Sequence, residues 1–404
     1  MQSASQSAPQ LADRVERISL SPTGAVLIEA ERLLARGIDV VNFGVGEPDF
    51  PTPEHIKQAA VRALEENFTK YTPTPGITPL REAVCAWHKR EFGSSYELAE
   101  SVITVGGKQA LFNALGALVN EGEEVLVPAP YWVSYPDMIR YVGAEPRFVP
   151  TEPGDGFRLR AEQVEPLINE ESRVLLLNSP NNPTGAVIPD EEFGKLLELC
   201  RRRNLWLLTD ECYSHFLYGG RKPFSVAALA DAKARTIVAG SLSKTFAMTG
   251  WRAGFALGPK PVIAAMIKLQ SQSTSNPTSI SQRAALAAVT GPMDSVKTML
   301  AEYAKRREVV MESLGAIEGV RTTAPDGAFY AFPNVEETPR VRSLRAKGEK
   351  ADTARIAVDL LNEARVAAVA GEAFGAPGYL RISFATAIER VREGIERMGR
   401  FFAS

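Results

Sequence analysis

Between about Thr52 and residue 299 the chain alternates amphipathic helical stretches with short apolar runs, and no other feature restricts its fold so tightly. In Pro53 to Glu66, Ile56, Ala59, Ala60, Ala63 and Leu64 recur at helical spacing, with Thr52 expected as the N-cap and Pro53 at the tolerated first helical position. A strand is expected at Val102 to Val105, ending in Gly106-Gly107, and then a helix with Leu111, Ala114, Leu115 and Leu118 on one face. Further strands are expected at Glu124 to Val127, Val174 to Leu177, Leu205 to Leu208 and Thr236 to Ala239, with a helix at Asp190 to Arg202. Helices recurring between such runs cover both faces of a mostly parallel sheet, so this region reads as a doubly wound α/β domain.

After about Leu300 the pattern changes to long charged helices around a few short strands, at Tyr330 to Phe332, Val366 to Val369 and Leu380 to Phe384. A smaller α+β domain is expected there, which agrees with a length of 404 residues at about 100 to 200 residues per domain. Glu336 to Lys350, rich in charge, reads as a surface loop or a helix start.

Lys and Arg number 46 against 48 Asp and Glu, a formal net charge of −2, which is too balanced for a nucleic-acid-binding surface. Cys85, Cys200 and Cys212 show no CxxC spacing and read as reduced thiols, pointing to a cytoplasmic protein. Three histidines, His55, His88 and His215, lack any metal-ligand spacing, so no metal centre is expected. The polar opening stretch lacks a leader pattern, and no segment approaches the roughly 18 apolar residues of a membrane span.

In open parallel sheets ligands bind beyond the carboxyl ends of the strands. Strand by strand those exits read Gly106-Gly107-Lys108, Pro130-Tyr131-Trp132, Asn178 through Asn182-Pro183-Thr184-Gly185, Asp210 with Tyr213, and Ser241-Leu242-Ser243-Lys244. A Gly106-Gly107 turn opening a helix points free N–H groups at an anion, although a glycine pair is as often a steric need of the turn. Lys244 precedes a nearly uncharged run to Trp251-Arg252, where desolvation would lower its pKa and suit Schiff-base chemistry. For an arbitrary lysine or strand-end aspartate, a snorkelling side chain or a loop cap is the commoner role. In joint order, a lysine, a carboxylate, a phosphate-type turn, a cation and an aromatic face are the parts that hold pyridoxal phosphate.

These segments resemble the class I aminotransferases among fold-type I pyridoxal-phosphate enzymes, and within them the bacterial aspartate aminotransferases. The resemblance runs through Gly46-Glu47-Pro48-Asp49-Phe50, Lys70-Tyr71, Gly106 to Leu111, Tyr131-Trp132, Asn178 to Gly185, Asp210 to Tyr213, Ser241 to Lys244 with Arg252, and Leu380 to Ser383. It implies that Lys244 carries the cofactor and shuttles the proton, that Asp210 pairs with the pyridine nitrogen, and that Asn182 and Tyr213 bond the 3-oxygen. Trp132 would cover the ring, and the N–H groups after Gly106, at Gly107 and Lys108, would hold the phosphate with Ser241 and Arg252. Tyr71 would reach the phosphate of a neighbouring subunit, which implies a homodimer. Arg381, faced by Gly46, would clamp the α-carboxylate of an amino acid or 2-oxo acid, with Trp132 and Asn182 beside it. The implied domains are 52–299 for the cofactor and a discontinuous 1–51 with 300–404 that closes over the substrate.

Lys108, Thr52 and a hydroxyl near Ser21 or Thr23 are expected at the side-chain carboxylate of aspartate or glutamate, although Lys108 also reads as a plain helix-start lysine. Some relatives use prephenate and carry a basic residue before the proline that is Pro22 here, where this chain has Ser21. Broader or aromatic transamination and a lyase on the same fold are the alternatives within the class. A ligand-sensing domain predicts a DNA-binding module of about 60 residues, whereas about twenty polar residues precede the resemblance. An NAD or ATP enzyme lacks both glycine fingerprints and leaves Lys244 and Asp210 without a role.

Overall fold

A computed structural model describes residues 10–20 and 22–404. Its strands are β1 (Val41–Asn42), β2 (Ser101–Thr104), β3 (Glu124–Ala129), β4 (Glu145–Pro150), β5 (Ser172–Asn178), β6 (Trp206–Asp210), β7 (Thr236–Ser241), β8 (Gly254–Leu257), β9 (Tyr330–Ala331), β10 (Val366–Ala367), β11 (Val369–Ala370) and β12 (Leu380–Ser383). Seven form one sheet in the order β2-β8-β7-β6-β5-β3-β4. The neighbours from β4 through β7 pair in parallel, while β8 runs antiparallel to both β7 and β2. The chain is therefore an α/β protein with a mostly parallel, doubly wound sheet.

The continuous apolar run of β5 follows from burial on both faces. Val174 and Leu176 pack with the helix Gly107–Leu118, whereas Leu175 and Leu177 pack with Phe193, Leu196 and Leu199 of the helix Asp190–Arg202. At the β7–β8 crossing Gly240 faces Phe255, and a Cβ on Gly240 would stand 2.1 Å from that ring, so only glycine fits.

Two small sheets draw on both ends of the chain. β1 pairs in parallel with β10, and β12 lies antiparallel between β11 and β9. The Phe43 N–H donates to Ala367 O at 2.9 Å, and the Phe43 carbonyl accepts from Ser383 N–H at 2.9 Å. Arg306, in the helix Asp294–Gly315, donates to Asp49 Oδ1 at 2.8 Å and ties down the segment after β1.

Several local expectations change. Pro53, not Thr52, takes the N-cap position of the helix Glu54–Glu65, because the Thr52 hydroxyl donates to Ala247 O at 2.5 Å instead. Val366 to Val369 is not one strand: β10 and β11 join different sheets on either side of Ala368. β4 and β8 went unforeseen. β4 is an edge strand holding Pro146 and Pro150, tolerated where no second neighbour needs the N–H, and β8 is only four residues long. Glu336 to Lys350 contains the helix Pro339–Ala346.

Candidate active site

A cavity of about 240 Å³ opens where β5, β6 and β7 end. Asn178 and Asp210, the last residues of β5 and β6, are in register, and Asn178 Nδ2 donates to the Asp210 carbonyl at 3.1 Å. The Asp210 carboxylate is held from both sides: Tyr135 OH donates to Oδ2 at 2.7 Å and the Cys212 N–H to Oδ1 at 3.1 Å. Burial raises the Asp210 carboxyl to about 6, with these two donors pulling the other way. A carboxylate so placed gains from a cationic partner in the cavity.

Lys244 comes from the single helical turn Leu242–Thr245 that follows β7, with Ser241 as its N-cap accepting from Ser243 N–H. Its Nζ donates to Gly46 O at 2.6 Å, and burial lowers its pKa. The Gly106 cradle lies alongside. Gly106 has φ 82°, and a Cβ there would stand 2.7 Å from Arg252 Nη2; Gly254 could not carry one either, since Gly106 C and Gly107 N are 2.5 Å away. Arg252 itself sits in the left-handed region with φ 52° and donates to Thr249 O at 2.8 Å, which aims its guanidinium along the start of the helix Gly107–Leu118. Backbone N–H groups and a guanidinium thus converge on one corner.

Arg381, on β12, enters from the other side at 2% exposure. It donates to Asn182 Oδ1 at 3.1 Å and Gly44 O at 2.6 Å, lies 4.7 Å from the Tyr330 ring centroid, and its Nε has no partner. Among the described residues no carboxylate pairs with it. Tyr330 OH also meets Tyr213 OH at 2.7 Å, so both phenols share one hydrogen bond at the cavity wall. Lys108 stands at the mouth, its Nζ 3.0 Å from Ser134 Oγ and 4.8 Å from the Trp132 ring centroid; desolvation, with Arg252 nearby, lowers its pKa.

The cavity therefore gathers Gly46, Gly107, Lys108, Trp132, Asn182, Asp210, Tyr213, Ser241, Lys244, Arg252 and Arg381, while Gly106 sits just behind Arg252. One expected member is not brought in: Thr52 is turned away, with its hydroxyl used by Ala247 O and by Trp251 Nε1 at 3.0 Å. Tyr71, expected at the phosphate of a neighbouring subunit, is 92% exposed on its own chain. Ser21 and the Thr23 side chain lie outside the described residues. Tyr135 and Tyr330 are not among the site residues expected from the sequence, while Asn178 and Cys212 fall inside the strand-exit segments without an assigned role. No local spacing marks Tyr135, which sits in the first turn of the helix Ser134–Tyr141, because Trp132 precedes that helix.

A doubly wound sheet whose exits surround a desolvated lysine and an anion cradle defines a cofactor-dependent α/β enzyme. The family Aminotransferase class I and II matches residues 38–398. The aspartate aminotransferase of Geobacillus stearothermophilus is 41% identical over 393 residues, 97% of this chain and 98% of that protein. A probable aspartate/prephenate aminotransferase of Aquifex aeolicus is 42% identical over 392 residues, 96% of this chain and 97% of that protein. The aspartate aminotransferase of Thermus thermophilus, solved with maleate, superposes with a TM-score of 0.91 at 42% identity, over 97% of this chain and 100% of that one. The chain belongs to the class I and II aminotransferase family. It is an aminotransferase of the bacterial aspartate type of fold-type I enzyme, with pyridoxal 5′-phosphate as its cofactor.

Proposed function

We propose that the enzyme exchanges the amino group between L-aspartate or L-glutamate and 2-oxoglutarate or oxaloacetate, with the cavity between β5–β7 and β12 as its active site. The observation that carries this reading is a pair of cations without acidic partners among the described residues, Arg381 inside the cavity and Lys108 at its mouth, lining the same space as Lys244. Two cations suit a substrate with two carboxylates. Maleate, found with the Thermus relative, is a four-carbon dicarboxylate.

The residues fit pyridoxal phosphate. The Gly106 cradle leaves no room for a side chain, and its N–H groups with Ser241 and Arg252 form a donor set for a phosphate. Asp210, already raised by burial, would take the cationic pyridine nitrogen, and Trp132 would cover the ring. When bound, the cofactor supplies an electron sink for the α-carbon of the substrate. Lys244, with its ammonium destabilised by burial, is suited to hold the cofactor and to move a proton at the α-carbon. Asn182 and Tyr213 would bond the cofactor's 3-oxygen, Arg381 would grip the α-carboxylate with Gly46 alongside, and Lys108 would take the second carboxylate.

The division into 52–299 and a discontinuous 1–51 with 300–404 belongs to this reading, supported by the pairing of β1 with β10. Closure of the smaller part would exclude water. Tyr71, exposed on a single chain, is assigned to the phosphate corner of a second copy, making the protein a homodimer, and the free thiols of Cys85, Cys200 and Cys212 suit a reducing cytoplasm. No helix among the described residues is long and apolar enough to cross a membrane. A second reading, prephenate as acceptor, is favoured by the name of the Aquifex relative and opposed by Ser21 before Pro22.

Aspartate, glutamate, aromatic amino acids and prephenate should be compared as partners, in the native enzyme and in Lys108→Ala. Acidic substrates are expected to dominate, with KM for aspartate rising at least about tenfold in the variant, a loss near the 1.4 kcal/mol that one tenfold step represents. Unchanged aspartate kinetics in Lys108→Ala would remove the side-chain assignment. Lys244→Ala is expected to lose at least about 10³-fold in turnover while remaining folded.

A further inference from the structure

The residue after Asp210 is a second buried acid, turned to the opposite side of β6. Glu211 is 9% exposed, and three donors surround its carboxylate: Ser225 Oγ at 2.5 Å and Thr209 Oγ1 at 3.3 Å on Oε1, and His88 Nε2 at 3.3 Å on Oε2. His88, 1% exposed in the helix Thr78–Phe92, is fixed in turn by Ser94 Oγ at 2.5 Å from Nδ1. No lysine or arginine among the described residues pairs with Glu211. The Tyr96 phenol also feels its charge, and the His215–Glu91 contact at 3.5 Å lies one layer out, where His215 stacks on Trp87. Burying a carboxylate is costly unless it is fully bonded. None of these groups lines the cavity, so the acid acts on nothing bound there by direct contact.

We propose that Glu211 is a positioning residue for the cofactor: its carboxylate, locked by His88, Ser225 and Thr209 behind β6, adds negative potential at Asp210 and so strengthens the hold of Asp210 on a protonated ring nitrogen. The two acids are adjacent in the chain and separated by a strand rather than by water, so little solvent screens one from the other. The Glu211 charge works in the same direction as the burial of Asp210. A cation placed against Asp210 answers both charges. The inference rests on the assignment of Asp210 to the ring nitrogen.

The test uses the pyridoxal-phosphate-loaded enzyme. In Glu211→Gln the amide oxygen still accepts from Ser225 and Thr209, and the amide nitrogen finds an acceptor in His88 through a change of tautomer, with Nδ1–H turned to Ser94. The variant removes charge and keeps shape. The pH midpoint of the bound cofactor's visible absorbance is expected to fall by about half a unit, and the dissociation constant for pyridoxal phosphate to rise about threefold to tenfold. Glu211→Asp, which keeps the charge at a poorer fit, is expected to lower the melting temperature and retain the native midpoint. Glu192→Gln is the comparator: Glu192, 3% exposed against 9% for Glu211, bonds Lys195 and the Ala161 N–H, none of which lines the cavity, and its midpoint should stay native. A native midpoint in Glu211→Gln, or an equal fall in Glu192→Gln, overturns the proposal. If Asp210→Asn leaves cofactor binding intact, the assignment of Asp210 fails; if only that variant changes the cofactor, the role of Glu211 alone fails.

Discussion

Arginines of the C-terminal region hold the segment 39–46 at two places, and they do so in opposite ways. At the outer edge Arg390 and Arg397, on the helix Ile388–Ala403, bind the carboxylate of Asp39, with Glu393 as a further acid for both. Every charge there has an opposite charge, and Asp39 is 58% exposed. At the inner edge Arg381 reaches the same segment through the Gly44 carbonyl and, among the described residues, has only neutral partners, at 2% exposure. The outer arrangement is a clasp, and its strength is that of surface ion pairs. The inner one leaves a desolvated cation incomplete, an arrangement that favours an incoming carboxylate over added fold stability. The same distinction separates Asp210, held by a phenol and an N–H, from Asp39, held by two guanidinium groups.

The largest break in this comparison comes from Asp210→Asn. Activity is expected to fall at least about 10³-fold, with weakened retention of pyridoxal phosphate. Stability should move the other way. Because burial raises the Asp210 carboxyl from 3.8 to about 6, folding favours its protonated form: the stability it gives the cofactor-free protein is complete below about pH 4 and is lost as pH rises through about 6. Above that pH the ionised group works against folding by up to about 3 kcal/mol, taking 1.4 kcal/mol per unit. Cofactor-stripped Asp210→Asn should therefore melt higher than the native chain at pH 8 and no higher at pH 4. Equal melting at both values would show that Asp210 carries no such strain.

Arg381→Lys sharpens the comparison next. Lysine keeps the charge but loses the planar fork, so kcat/KM is expected to drop about a hundredfold, mostly through KM. A loss below about threefold would show that charge alone suffices at that position. Tyr135→Phe is milder: Asp210 keeps the Cys212 N–H and loses one donor, so cofactor affinity should fall about threefold to tenfold with the fold intact, read by equilibrium titration.

What the sequence made legible divides along similar lines. Asp210, Ser241, Lys244 and Asn182 follow apolar runs, and a parallel sheet collects the residues that follow its strands at one edge, so their convergence could be read without coordinates. Arg381 is assigned by resemblance alone, because its strand belongs to another sheet and nothing local says that it lines the same cavity as Asp210. Tyr135 and Tyr330 reach the site through packing between elements about 75 and 117 residues from their hydrogen-bond partners, a distance that no pattern spans. Thr52 shows the reverse failure. Its capping signal was sound by local rules, and a carbonyl 195 residues away outcompeted the helix end for its hydroxyl.

The smallest expected effect tests the clasp itself. Hydrogen bonds from Arg390 and then Arg397 hold the Asp39 carboxyl below its usual range, and a group whose folded pKa is depressed gives its stability above the unfolded value, about 4, losing it as pH falls through the folded one. Its exposure lets solvent screen the pair, so Asp39→Asn should cost less than about 1 kcal/mol at pH 7, a fall in melting temperature below about 3 °C, shrinking further in high salt and vanishing once pH has fallen below the depressed folded value. Transaminase kinetics should stay native, because Asp39 touches no residue of the cavity. A large kinetic defect in Asp39→Asn with normal melting would mean that the outer arginines set the position of Gly44 and Gly46, and the two holds on this segment would then be one coupled device rather than a clasp and a receptor.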